Sequence, residues 1–169
     1  GSSSSGPFQL TAFGNTLYFS ANDGTNGEEL WKSDGTASGT VMVKDIRSGS
    51  SGSGPAHFTA VGNTLYFQAN DGTHGAELWK SDGTASGTVM VKDILSGSSG
   101  SSLNHLTAVG NTLYFRASDG TNGVELWKIS QDVGRESVRT TEIYNKRRSN
   151  IKNSPVHSLG FLENKKKLA

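Results

Sequence analysis

The segment ELWKSDGTASGTVMVKDI, Glu29 to Ile46, recurs letter for letter from Glu77 to Ile94. A single active site needs each catalytic group once. A verbatim copy points instead to a modular chain, in which each copy does the same physical job beside its neighbour. The repetition extends outward from this segment. Thr11-Ala12-Phe13-Gly14-Asn15 returns as Thr59-Ala60-Val61-Gly62-Asn63 and as Thr107-Ala108-Val109-Gly110-Asn111, each 48 residues after the last. Between residues 11–47 and 59–95, 32 of 37 positions are identical, so the two units are expected to share one local structure.

The content of the unit decides its class. Leu10 to Phe13 is a short apolar run ended by Gly14-Asn15. Thr16 and Tyr18 then alternate with Leu17 and Phe19, which reads as a strand. Asn22 to Gly27 is turn chemistry, Glu28 to Lys32 a third strand, Ser33 to Thr36 another turn, and Gly39 to Ile46 a fourth strand. Arg47 to Pro55 reads as a flexible connector whose proline stops further pairing. Four short antiparallel strands at a 48-residue period predict an all-β fold, a β-propeller-like array of four-stranded antiparallel blades. No stretch carries apolar residues at helical spacing, which excludes a helical repeat; a parallel β-solenoid is the minor alternative.

The third copy keeps Leu106 to Lys128 but replaces the SDGTASGT turn with Ile129 to Ser137. Ser137 to Ile143 aligns with the fourth strand, and Ser154 to Ala169 aligns weakly with the start of a fourth copy. The chain therefore divides into repeat 1 (1–54), repeat 2 (55–102), repeat 3 (103–145) and a basic tail (146–169), about three and a half repeats. Closed propellers have about 4 to 8 blades. The array is expected to be part of a larger propeller, one completed by further chains, or one whose edge the basic tail folds back to cover.

Composition agrees with many strands and turns: only 33% of the 169 residues are hydrophobic, and 22 are glycine. No apolar run approaches the roughly 18 residues of a membrane span. No signal peptide is visible in this chain. With no cysteine, neither disulfides nor thiolate metal sites are expected. Residues 1–128 carry a net charge of −4 and residues 129–169 a net charge of +5. The tail's Lys146-Arg147-Arg148 and Lys165-Lys166-Lys167 lack an aromatic platform, so no nucleic-acid partner is expected.

Glu29-Leu30-Trp31-Lys32-Ser33-Asp34-Gly35-Thr36 and Glu77-Leu78-Trp79-Lys80-Ser81-Asp82-Gly83-Thr84 resemble the ELWxxDGT repeat family of bacterial secreted and surface proteins. The likeness covers roughly residues 8–128; the third copy keeps Glu125-Leu126-Trp127 but lacks the DGT. It implies a propeller-like array on an exported protein, and no defined activity.

Several repeated side chains are candidate sites. The turns beginning at Asp23, Asp71 and Asp119, with Glu29, Glu77 and Glu125 nearby, could offer oxygens to calcium. The competing and favoured reading is that each aspartate braces its own turn. Trp31, Trp79 and Trp127 could stack on sugar rings, but packing between blades is the stronger expectation. Tyr18, Tyr66 and Tyr114 face away from their leucine and phenylalanine neighbours and are candidate exposed ligand contacts. His57, His74, His105 and His157 show no zinc spacing. No nucleophile elbow or distinguished carboxylate pair appears, so no catalytic residue and no enzyme is expected. The leading expectation is a non-enzymatic scaffold for adhesion or protein interaction. The alternatives are a self-assembling structural subunit joined through edge strands, and a lectin-like or calcium-dependent glycan binder.

Overall fold

A computed structural model describes residues 5–121, 123–132 and 135–140. Among them are twelve strands and no helix. The first repeat forms β1 (Phe8–Phe13), β2 (Thr16–Asn22), β3 (Glu28–Ser33) and β4 (Val41–Lys44). The second forms β5 (Ala56–Val61), β6 (Thr64–Asn70), β7 (Ala76–Ser81) and β8 (Val89–Lys92). The third forms β9 (Asn104–Val109), β10 (Thr112–Ser118), β11 (Val124–Asp132) and β12 (Arg135–Thr140). Each repeat is one antiparallel sheet of four strands in sequence order. The expected all-β fold and four-strand unit are therefore present.

Identical sequence gives identical register. Tyr18 lies opposite Lys32 and Phe19 opposite Trp31; Tyr66 lies opposite Lys80 and Phe67 opposite Trp79. The first strand of each sheet has an irregular register near its start. There Gln9, His57 and His105, at matching positions, adopt positive φ of 57°, 60° and 54°. A residue in the left-handed region beside a register break marks a bulge that bends the strand. These first strands lie side by side from sheet to sheet. The His57 N–H reaches Gln9 Oε1 at 3.4 Å, and Thr59 Oγ1 reaches the Leu106 carbonyl at 3.4 Å.

The core lies between sheets. Strand side chains alternate, so each sheet has two faces; both faces of the second sheet meet neighbours, as does one face of the first and one of the third. Tyr18, Leu30, Val43 and Ile46 of the first sheet pack against Leu65, Phe67, Ala69 and Trp79 of the second. Val61, Tyr66, Leu78 and Ile94 of the second pack against Leu113, Phe115, Trp127 and Ile129 of the third.

Four expectations change. The fourth strand is only Val41–Lys44, because Asp45 and Ile46 turn into the connector. The first strand starts earlier, at Phe8. Ile129 to Asp132 extend β11 instead of forming a turn, since Ile129 is fully buried and pairs with Val138. The connectors are tied down: Ser53 and Pro55 are buried. Ser53 C=O accepts from Asn70 N–H at 2.9 Å, and Gly54 N–H donates to Glu28 C=O at 3.2 Å. Gly52 lies so close to Gly27 and Glu28 that a Cβ on either glycine would strike the other's backbone neighbourhood. The basic tail, His157 and the aligned start of a fourth copy lie outside the described residues.

Candidate functional site

The feature built most completely from repeated residues is the seam between one sheet and the next. It starts with the SDGTASGT turn, which folds alike in both copies. Thr36 Oγ1 donates to Asp34 Oδ1 at 2.7 Å, and the Gly39 N–H donates to Thr36 Oγ1 at 2.9 Å. Thr84, Asp82 and Gly87 repeat these bonds at 2.7 and 2.9 Å. The threonine hydroxyl and backbone N–H hold both aspartates below the usual carboxylate range. Glycine is needed at Gly39 and Gly87 because a Cβ there would collide with the aspartate carboxylate.

The two copies differ only in what covers them. Lys32 Nζ donates to the Gly83 carbonyl at 2.8 Å, and Lys44 Nζ to the Thr88 carbonyl at 2.7 Å. Tyr18 reaches the same turn, its hydroxyl filling the space a side chain on Gly83 would take. Burial raises the Tyr18 phenol pKa, and the nearby Asp82 charge adds to the rise. Ser81, Gly83 and Thr88 are buried as a result, while Gly35 and Thr40 at the matching positions are exposed. The third sheet lacks this turn. Lys92, the counterpart of Lys44, instead lies 4.9 Å from the centre of the Trp127 ring. A cation over an aromatic face replaces the charge-to-carbonyl contact.

A second device fixes where the next sheet begins. Glu29 is fully buried. Its carboxylate accepts from the N–H groups of Ile46 (3.0 Å), Arg47 (3.1 Å) and Ser53 (3.0 Å), and from the Ser53 hydroxyl (2.6 Å). Glu77 repeats this with Ile94 and Leu95, both at 3.2 Å. Burial pushes both carboxyls above the usual glutamate range, against the downward pull of these donors.

The sequence-predicted residues fall unevenly on this frame. Tyr18 and Tyr66 are 4% and 0% exposed, which corrects the expectation that they present ligand-binding rings. They do face away from Leu17 and Phe19, or Leu65 and Phe67, but that side meets the following sheet instead of solvent. Tyr114 is half-buried. Trp79 and Trp127 are buried and Trp31 half-buried. Trp127 stacks with Phe115 at 6.4 Å and 21°.

The calcium candidates brace their own turns: Asp23 Oδ1 accepts from Thr25 and Asn26 N–H, both at 2.8 Å, and its Oδ2 from Asn26 Nδ2 at 2.7 Å. Asp71 does the same, with His74 Nδ1 at 2.7 Å. Asp119 accepts from Thr121 N–H at 2.9 Å. Among the described residues, no three His, Cys, Asp or Glu side chains group closely enough to hold an ion. Sequence reasoning missed Lys32, Lys44 and the connector role of Glu29. A usable signal was present: a glutamate recurring beside leucine and tryptophan inside an apolar strand is an acid with a buried task.

No family model matches the chain. No curated protein matches it either. A solved structure from work on two prolyl endopeptidases, concerned with inter-domain dynamics in catalysis and specificity, is similar over 77% of this chain. The likeness spans 19% of that chain, with 16% identity and a TM-score of 0.47. On this finding the expectation that the chain is not an enzyme is withdrawn, since the similar structure is that of an enzyme. A TM-score of 0.47 carries no argument that this chain has an activity. No helix among the described residues is long and apolar enough to cross a membrane.

Proposed function

We propose that the chain is a propeller-like repeat scaffold of a bacterial secreted or cell-surface protein, used for adhesion or protein interaction. The observation that carries this reading is the seam between the first and second repeats. Tyr18, Lys32 and Lys44 serve to hold one repeat against the turn of the next. The connector lock at Glu29 sets the step between them. A step repeated at a fixed period with adjacent first strands suits sheets arranged about a common axis. The resemblance to ELWxxDGT repeats is what supports export. Antibody against the chain should label intact source cells or their medium. Signal that appears only after lysis would overturn the exported scaffold.

A second reading, self-assembly, is favoured by one observation: among the described residues, no lysine or tyrosine covers the Ser33–Thr40 turn of the first sheet as they cover Ser81–Thr88. Thermal unfolding with calcium or oligosaccharides tests the glycan-binding alternative, because a ligand that binds only the native state raises Tm.

A further inference from the structure

The two ends of the stack are complementary. On the outer face of the first sheet Leu17 is 37% exposed, whereas its counterpart Leu65, facing the first sheet, is 0% exposed. Leu10 is 61% exposed, while its counterpart Phe58 packs into the seam against Phe67. On the outer face of the third sheet the contrast runs the other way. Val109 is 61% exposed, and its counterpart Val61 only 2%. Leu126 and Tyr114 are half-buried, where Leu78 and Tyr66 are fully buried. Tyr114 lies opposite Lys128, as Tyr18 lies opposite Lys32. Among the described residues, one end is thus an open socket whose turn is identical in sequence and hydrogen bonding to Ser81–Thr88. The other end carries the tyrosine and lysine that fill that turn inside the molecule.

We propose that the third sheet of a second copy docks on the first sheet, with Lys128 donating to the Gly35 carbonyl and Tyr114 seated over Gly35. This rests on the stacked-scaffold reading and deepens it. The contact is head-to-tail, not edge-to-edge. It uses sheet faces, joins unlike surfaces, and builds a ring or an open series according to the rotation per step. The internal seam is its template, so both the charge-to-carbonyl pairing and the apolar fit already exist once in the same molecule.

The test uses the intact chain. Gly35 has φ +92° and open space among the described residues, so Gly35→Asn fills the socket with no steric clash against them, at a backbone strain that the control must share. Gly24, at φ +86° and equally open, supplies the control Gly24→Asn. Native mass is measured over roughly a hundredfold range of concentration. Wild type and Gly24→Asn should grow in mass. Gly35→Asn and Lys128→Ala should each weaken association by about tenfold or more. Mixed together, those two variants should restore association, because one keeps the plug and the other the socket, and the mixture should stop at a dimer. Growth indifferent to both variants would overturn this docking while leaving self-assembly by another face. A monomer at every concentration would overturn docking and self-assembly together. The scaffold reading would then stand or fall separately, on the labelling of intact cells.

Discussion

Glu29 shows how one residue can set the spacing of a whole repeat. A carboxylate taken out of water loses solvation, and only several good donors offset that cost. Glu29 has four, and three of them belong to backbone that must lead to the next sheet. Glu29→Gln replaces one acceptor oxygen with an NH2 group that faces other donors. It should destabilise the fold by about 1–3 kcal/mol, read from urea unfolding. The raised carboxyls also set a pH dependence. Their contribution is fully present below the ordinary value of 4.5 and is lost as pH rises through the folded value. His74, raised chiefly by its bond to Asp71, acts in the same direction at higher pH. Asp23, Asp34, Asp71 and Asp82 are lowered, so their contribution is present above 3.8 and lost as pH falls. The urea midpoint should therefore fall between about pH 4.5 and 7. The slope should be shallower in Glu29→Gln/Glu77→Gln; an unchanged slope would contradict burial as its cause.

Among elements, the strands were legible and the seams were not. Alternation in Thr16–Asn22 and the glycine-aspartate turns located nearly every strand, because those signals are local. The limits of Val41–Lys44 and Val124–Asp132 were misplaced, since tertiary contacts decide them: the connector lock ends the first, and burial of Ile129 extends the second. Alternation in β2 puts Tyr18 and Leu17 on opposite faces but does not say which face a neighbour covers: Tyr18 meets the next sheet, while Leu17 is 37% exposed. Lys32 and Lys44 carry no local signal of a partner, because their carbonyl partners lie 51 and 44 residues away. A charged donor on a buried residue's carbonyl contributes about 1.5–3 kcal/mol. Lys44→Ala should therefore lower stability by that order in urea unfolding, and a neutral result would remove this seam from the forces holding the sheets.

In the whole molecule, an identical segment sits in two environments and becomes its own control. Residues 33–40 and 81–88 have the same sequence, hence the same intrinsic exchange chemistry, and the same hydrogen bonds within the turn. They differ only in whether a neighbouring sheet covers them. The period revealed that sheets repeat; it did not reveal that the first sheet grips the second through a lysine pair and a tyrosine. The measurement to make first is amide hydrogen exchange, by NMR on dilute chain, at Gly83 and Thr88 against Gly35 and Thr40. The covered turn should exchange more slowly than its exposed twin, and Lys32→Ala/Lys44→Ala should bring the two together. Equal rates in the unaltered chain would mean that the second turn is not gripped, and the seam would not be what holds the repeats in line.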